Sequence, residues 1–209
     1  MNLLLILGLV WLSKLVKFSL IVGSVCTFFS LINVVAPLTV LFSGWGGGVF
    51  CMLLTGLLGT KSIVGTSLLA ACGLPNFGAG LYLRTANNLF KIALPALCMA
   101  LFWYQTWGTI GMAYALLWLI PVAVTVFKIE QIYLKSLAAT FVAHGIGSVM
   151  WVYGANLTPE QWFALIPVAI CERVLLACLI GVAYNLVQSR AALGSFYNKI
   201  ILRAESALL

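Results

Sequence analysis

Apolar stretches of about twenty residues follow one another along this chain with only short polar turns between them, and this constrains its fold most. A helix rises 1.5 Å per residue, so about 20 apolar residues cross the roughly 30 Å hydrocarbon core of a bilayer. Backbone groups find no water there, which leaves helices or a closed barrel. Barrel strands alternate over about ten residues, whereas these runs are continuous, so helices are expected. Only 7% of the residues are charged, where a soluble domain carries roughly 25%, so the surface cannot be wetted all round. The expectation is an all-α integral membrane protein, a single transmembrane domain over residues 1–209 with no soluble one.

Four spans are expected at about 88–105, 109–127, 134–153 and 161–187. The last opens on "LTPEQ", where Thr158 serves as N-cap, Pro159 takes the first helical position and Gln161 reaches back to complete a capping box. The first half is less regular: "GWGGG" at 44–48 interrupts an apolar run, and "GLLGTKSIVGTSLLAACGLPNFGAG" mixes helix formers with glycines. Pro75 is expected to end or kink a helix. Two crossings before Asn88 would make about six in total. A broken or re-entrant segment near 59–80 is the alternative, with flexible glycines at a helix end the plainer one. The N-terminal "MNLLLILGLVWLSKLVKF" has its apolar stretch ahead of Lys14 and Lys17 and no A-x-A site, so it is read as part of the mature protein.

The formal charge of +7 could suggest nucleic acid, but the basic residues stand singly between spans, which suits topology signals and lipid headgroups, and no nucleic-acid partner is expected. Arg190, Lys199 and Arg203 make residues 190–209 a basic cytoplasmic tail, and Lys128 and Lys135 put their turn on the same side. Both termini are then cytoplasmic. The six cysteines lack a CxxC pair and mostly fall in spans, so they read as small buried apolar residues, with neither disulfides nor a metal site. No cofactor is expected. "NLT" at Asn156 matches a glycosylation acceptor in a turn too short to use it. Trp103, Tyr104, Trp107, Trp151, Tyr153 and Trp162 gather at outer helix ends, as interfacial belts do, though some could stack on a planar ligand.

With only four acidic residues to place, the chain puts Glu172 beside Arg173 inside an apolar run. Counting rises, Glu172 lies roughly 16 Å below Gln161 and His144 roughly 18 Å below Asn156, so both fall near the midplane on consecutive helices. Neighbouring residues point about 100° apart, so Glu172 and Arg173 each need a separate partner, with Glu172 in reach of His144, or one of them faces a water-filled cavity. Thr140, His144 and Ser148 make an i, i+4, i+8 polar stripe beside the small residues Ala139, Ala143 and Gly147. Ala169, Arg173, Ala177 and Gly181 share a second close-packing stripe. Pro95, Pro121 and Pro167 sit inside spans, and "LIPVA" occurs twice, at 119–123 and 165–169, as a parallel repeat would have it.

Short helices in about 200 residues, compact outer turns, a basic tail and the stretch "GLLGTKSIVGTSLLAACGLPNF", with "GLPNF" at a helix–loop junction, resemble the substrate-binding S-component of energy-coupling factor vitamin transporters, the biotin-type members above all. The resemblance implies capture of a vitamin-like metabolite at a bacterial inner (plasma) membrane and pairing with an energising transmembrane subunit and ATPases. The chain itself has no P-loop. Three functions stay open: a transporter or substrate-binding subunit for a small polar metabolite, with His144, Glu172, Arg173, Thr140 and Ser148 at the site; an intramembrane enzyme with His144 as base; or a scaffold subunit. The absence of Asp and of a G-x-S-x-G setting lowers the enzyme, and no catalytic residue is assigned.

Overall fold

The computed structural model describes Gly8 and residues 11–13, 17–18, 29–59, 73–154 and 157–206. Apart from a two-residue antiparallel pairing of Lys17–Phe18 with Phe29–Ser30, the described residues are helical or lie in short turns. The helices are α1 (Ile32–Gly59), α2 (Leu74–Arg84), α3 (Asn88–Thr106), a 3-10 helix (Ile110–Trp118) running into α4 (Leu119–Val126), α5 (Ile132–Gly154), α6 (Pro159–Ala164) and α7 (Ile166–Ser206). By length and composition alone, four helical stretches could cross a membrane: Ile32–Thr55, which is broken at Gly44, Asn88–Thr106, Ile132–Gly154 and Ile166–Arg190. Along α7, Val174, Leu175, Leu179, Val182 and Leu186 lie exposed, an apolar face that suits lipid and not water. The helices fit an integral membrane protein.

From α3 onward the chain reverses at short turns (107–109, 127–131 and the one ahead of Pro159), giving the bundle two unlike ends. One, the basic end, carries Arg84, Lys91, Lys128, Lys135 and Arg190; the other, the aromatic end, exposes Tyr104, Trp107, Trp151 and Tyr153. The sequence placed Trp162 in this belt, but it is buried, packed edge-on against Phe102 at 5.0 Å between ring centroids. Cys51 and Cys98 are buried as expected, whereas Cys171 and Cys178 face outward; all four are free thiols, and no metal-binding cluster occurs among the described residues.

The 3-10 helix and α4 occupy the expected 109–127 span with only 17 residues. Nine residues at about 2.0 Å and eight at 1.5 Å give roughly 30 Å, the thickness of a hydrocarbon core. Tighter winding gives a short segment that length.

The sequence break at "GWGGG" has a larger effect than an interruption. Gly44 takes φ 74° and ψ −163°, a backbone state open essentially to glycine alone, and α1 folds back on itself there. Val40 Cγ2 stands 2.8 Å from where a Cβ on Gly48 would lie, and Ala36 packs in one cluster with Cys51. Along a straight helix residues eight apart are roughly 12 Å away from each other. So α1 is a hairpin of two half-length helices, 32–43 and 45–59. The break frees carbonyls at the end of the first half, and Arg84 donates from Nη1 to the Leu41 oxygen at 2.8 Å.

Helix α2 is also half-length, roughly 16 Å. It starts at Gly73 (φ 76°) and Pro75 occupies its first turn, where a missing N–H costs nothing. Pro75 therefore begins a helix, contrary to the expectation that it ends or kinks one. The described residues do not confirm two crossings before Asn88, nor six in total; residues 32–59 and 73–84 make three half-helices. Residues 60–72, which hold most of the expected 59–80 re-entrant segment, lie outside the described residues, as do Asn156 of the acceptor motif and most of the N-terminal stretch.

Close packing fixes α2. A Cβ on Gly78 would collide with Ile146, and one on Gly80 with Val40 and the Pro37 oxygen. The expected small-residue stripes are realised: Ala139 and Ala143 are buried against α2, with Gly147 facing Pro75, and Ala169 and Ala177 are buried along α7, where Gly181 lies against the Tyr133 ring.

Candidate functional site

The capping box is formed: the Thr158 hydroxyl accepts from the Gln161 N–H at 3.3 Å, and Gln161 Oε1 accepts from the Thr158 N–H at 2.8 Å. It anchors the aromatic end of the last span. The helix then breaks at Leu165, two residues before Pro167, which has no N–H for the carbonyl of Phe163. Both LIPVA copies thus fall on a change of helix, since Leu119 is also where the 3-10 helix turns into α4. Resumption at Ile166 brings Glu172 and Arg173 beside the middle of α5, where His144 lies roughly 18 Å along from Ile132.

There the helices leave a partly open cavity of about 490 Å³. Its walls include Tyr114, His144, Ser148, Glu172 and Arg173, and the indoles of Trp151 and Trp162 lie above them. Its floor is made of half-helix starts: Gly73, Pro75 and Asn76 of α2, and Asn33 of α1, with Asn76 Nδ2 donating to Asn33 Oδ1 at 2.9 Å. Gly73 caps α2 without a side-chain hydrogen bond, and this N-terminal turn, the positive end of the helix dipole, borders the cavity.

The two ionised groups pair with each other. Arg173 Nη2 donates to Glu172 Oε2 at 2.9 Å, and the side chains keep only 14% and 18% of their exposure. The expectation of separate partners is thereby corrected. Backbone directions 100° apart do not separate side chains this long, and in a low-dielectric wall two opposite charges within reach close on each other. Arg173 Nε is buried, with no hydrogen-bond partner among the described residues.

His144 does share the cavity with Glu172, but its hydrogen bond goes elsewhere: Nε2 and the Tyr114 hydroxyl are 2.6 Å apart. Ser148 Oγ stands 3.5 Å from the same hydroxyl, at the long limit of such a bond. Tyr114 thus separates Ser148 from His144, which leaves no serine–histidine pair of the kind a nucleophile needs. Thr140 does not line the cavity. It is buried, donating to the Leu137 carbonyl at 2.8 Å and approaching the Arg173 carbonyl at 3.3 Å, and so ties α5 to α7.

Sequence reading missed Tyr114, and with it Asn33 and Asn76 of the floor; Tyr114 is the one that bonds to His144. Its only signal is the four-residue spacing from Trp118 in "YALLW"; both rings are buried with Phe102 and Trp162 in one aromatic cluster. No family model, curated protein or solved structure matches the chain.

Proposed function

We propose that the chain is a membrane transporter of a small polar metabolite, or the substrate-binding subunit of one, and that the mid-depth cavity holds the metabolite. One observation carries this: an ion pair, Glu172–Arg173, lies in the wall of a cavity about halfway along the bundle. Charges at that depth are costly and mark substrate paths by default, and about 490 Å³ falls within the roughly 300–1,000 Å³ of small-molecule sites. The chemistry on offer is mixed. The positive charge of Arg173 and the start of α2 favour an anionic or acceptor group; Glu172 and Asn33 supply acceptors; the indoles offer flat apolar surface. A compact metabolite carrying both a carboxylate-like and a donor group, such as an amine or amide, suits it.

In this proposal α3, the 3-10/α4 segment, α5 and α7 cross the bilayer, while the α1 hairpin and α2 fill the half nearer the basic end. That end faces the cytoplasm of a bacterial inner membrane, with both chain termini, by the excess of lysine and arginine there. The aromatic end faces outside and admits the ligand. Energy would come from a separate transmembrane subunit with ATPases, as the resemblance to S-components implies.

Native mass spectrometry of the protein released from its own membranes, beside Glu172→Gln, tests the proposal. A small molecule retained by the wild type and lost from the variant is the expected result. Protein partners with no small molecule would make the chain a scaffold subunit. An empty, solitary chain whose variant is only less stable would make the pair a structural clasp.

A further inference from the structure

A second hollow, of about 170 Å³, opens at the basic end between the start of α3, the end of α4 and the turn into α5. Lys91, Lys128 and Lys135 line it together with one carboxylate, Glu130. Three lysines less one glutamate leave a surplus of two positive charges around one small space.

Each lysine comes from a different element, and each is placed. The Lys91 ammonium lies 5.4 Å from the centroid of the Tyr82 ring. Lys135 Nζ is 2.7 Å from Glu130 Oε2, with its side chain 25% exposed. Lys128 takes φ 51°, a left-handed conformation uncommon outside glycine, with its N–H donating to the Thr125 carbonyl at 3.2 Å. The next N–H, from Ile129, donates to Val124 at 3.0 Å, so the turn is closed over the hollow.

The inner wall offers little that is free. The Tyr82 and Thr125 hydroxyls are 2.9 Å apart and both lie within hydrogen-bond distance of the Pro121 carbonyl. Glu130 pairs with Lys135 alone, and that neighbour holds its carboxyl below the usual carboxylate range. Among the described residues Lys91 and Lys128 have no carboxylate partner.

We propose that this hollow binds a phosphate group, with Lys91 and Lys128 as its principal contacts and Lys135 divided between the phosphate and Glu130. A tetrahedral oxyanion accepts from several directions at once, as three converging point charges require, and lysine serves phosphate as a point charge. The hollow lies at the ends of α3 and α4, the level of lipid phosphates, where basic pockets between helices take anionic headgroups. The phosphate is thus presented by an anionic lipid or comes free from solution. This site is independent of the mid-depth cavity.

The test uses the full chain in nanodiscs of phosphatidylcholine with one part in five phosphatidylglycerol, read by native mass spectrometry of retained lipid with and without millimolar inorganic phosphate. The wild type should retain phosphatidylglycerol in preference to phosphatidylcholine. Retention undisturbed by inorganic phosphate identifies the lipid as the source; displacement by it, with phosphate carried on the protein, identifies free phosphate. Lys91→Gln and Lys128→Gln should each weaken retention about five-fold, the loss expected for one charge at an anionic surface. Glu130→Gln should strengthen it by freeing Lys135, a gain that misfolding cannot imitate. No preference in the wild type, no gain in Glu130→Gln, or an equal loss in Arg190→Gln, which lies outside the hollow, would overturn the proposal.

Discussion

Removing one member of the Glu172–Arg173 pair should cost as much as removing both. At 2.9 Å and an effective dielectric of about 20, the attraction is about 6 kcal/mol, but each ion also gives up several kcal/mol of hydration on entering the wall. The two terms roughly cancel, so the intact pair is nearly neutral against apolar residues of similar size. A single truncation removes the attraction and leaves the desolvation of the survivor. Breaking a buried pair costs about 3–5 kcal/mol, and with 14% and 18% of the side chains exposed the lower end applies, about 3 kcal/mol for Glu172→Ala or Arg173→Ala. Arg173 Nε already lacks a partner, so losing Glu172 leaves the guanidinium with no acceptor in the wall. The double variant should lose about 3 kcal/mol in place of the 6 expected from addition, a coupling of about 3 kcal/mol. Reversible unfolding in mixed micelles with rising dodecyl sulfate, followed by tryptophan fluorescence, measures all four corners of the cycle. A coupling within about 0.5 kcal/mol of zero would refute the reasoning, since the two charges would then be compensated by other groups.

Two further outcomes follow from backbone geometry. Gly44→Ala must force a Cβ into φ 74°, ψ −163° and against the Arg84 guanidinium carbon at 3.3 Å, and should destabilise by about 1–3 kcal/mol in the same assay; an unchanged midpoint would mean the hairpin does not need that conformation. Thr158→Ala removes the hydroxyl half of the capping box and should cost about 1 kcal/mol, with amide exchange quickening first at Gln161; protection equal to wild type there would show the cap to be idle.

How much of this was legible follows the range of each signal. The capping box is a four-residue pattern and was read directly. The α3, α5 and α7 spans followed from apolar length, which survives any detail of packing. Pro167 was visible inside its span, and the break before it has a local cause, the missing N–H. Gly44 was visible as an interruption, but nothing in "GWGGG" says that the chain turns back, since reversal depends on Val40 meeting Gly48 and Arg84 meeting Leu41. The 3-10 winding of 110–118 left no mark either, and with it Tyr114 went unnoticed as the partner of His144. Depth counting did bring His144, Glu172 and Arg173 to one cavity. Who bonds to whom was beyond it, because side-chain reach exceeds what backbone directions alone describe.

The folded-back α1 has a consequence for how the protein is made. Twelve residues in one arm and fifteen in the other are each too short to be held in a bilayer as an independent crossing. Each arm depends on the other and on α2, whose own grip comes from α5 through Gly78 and Ile146. During synthesis the hairpin is complete long before α5 emerges. It must therefore wait at the membrane in an unfinished state, and its final insertion is a late assembly step, gated by the appearance of α5, four helices downstream.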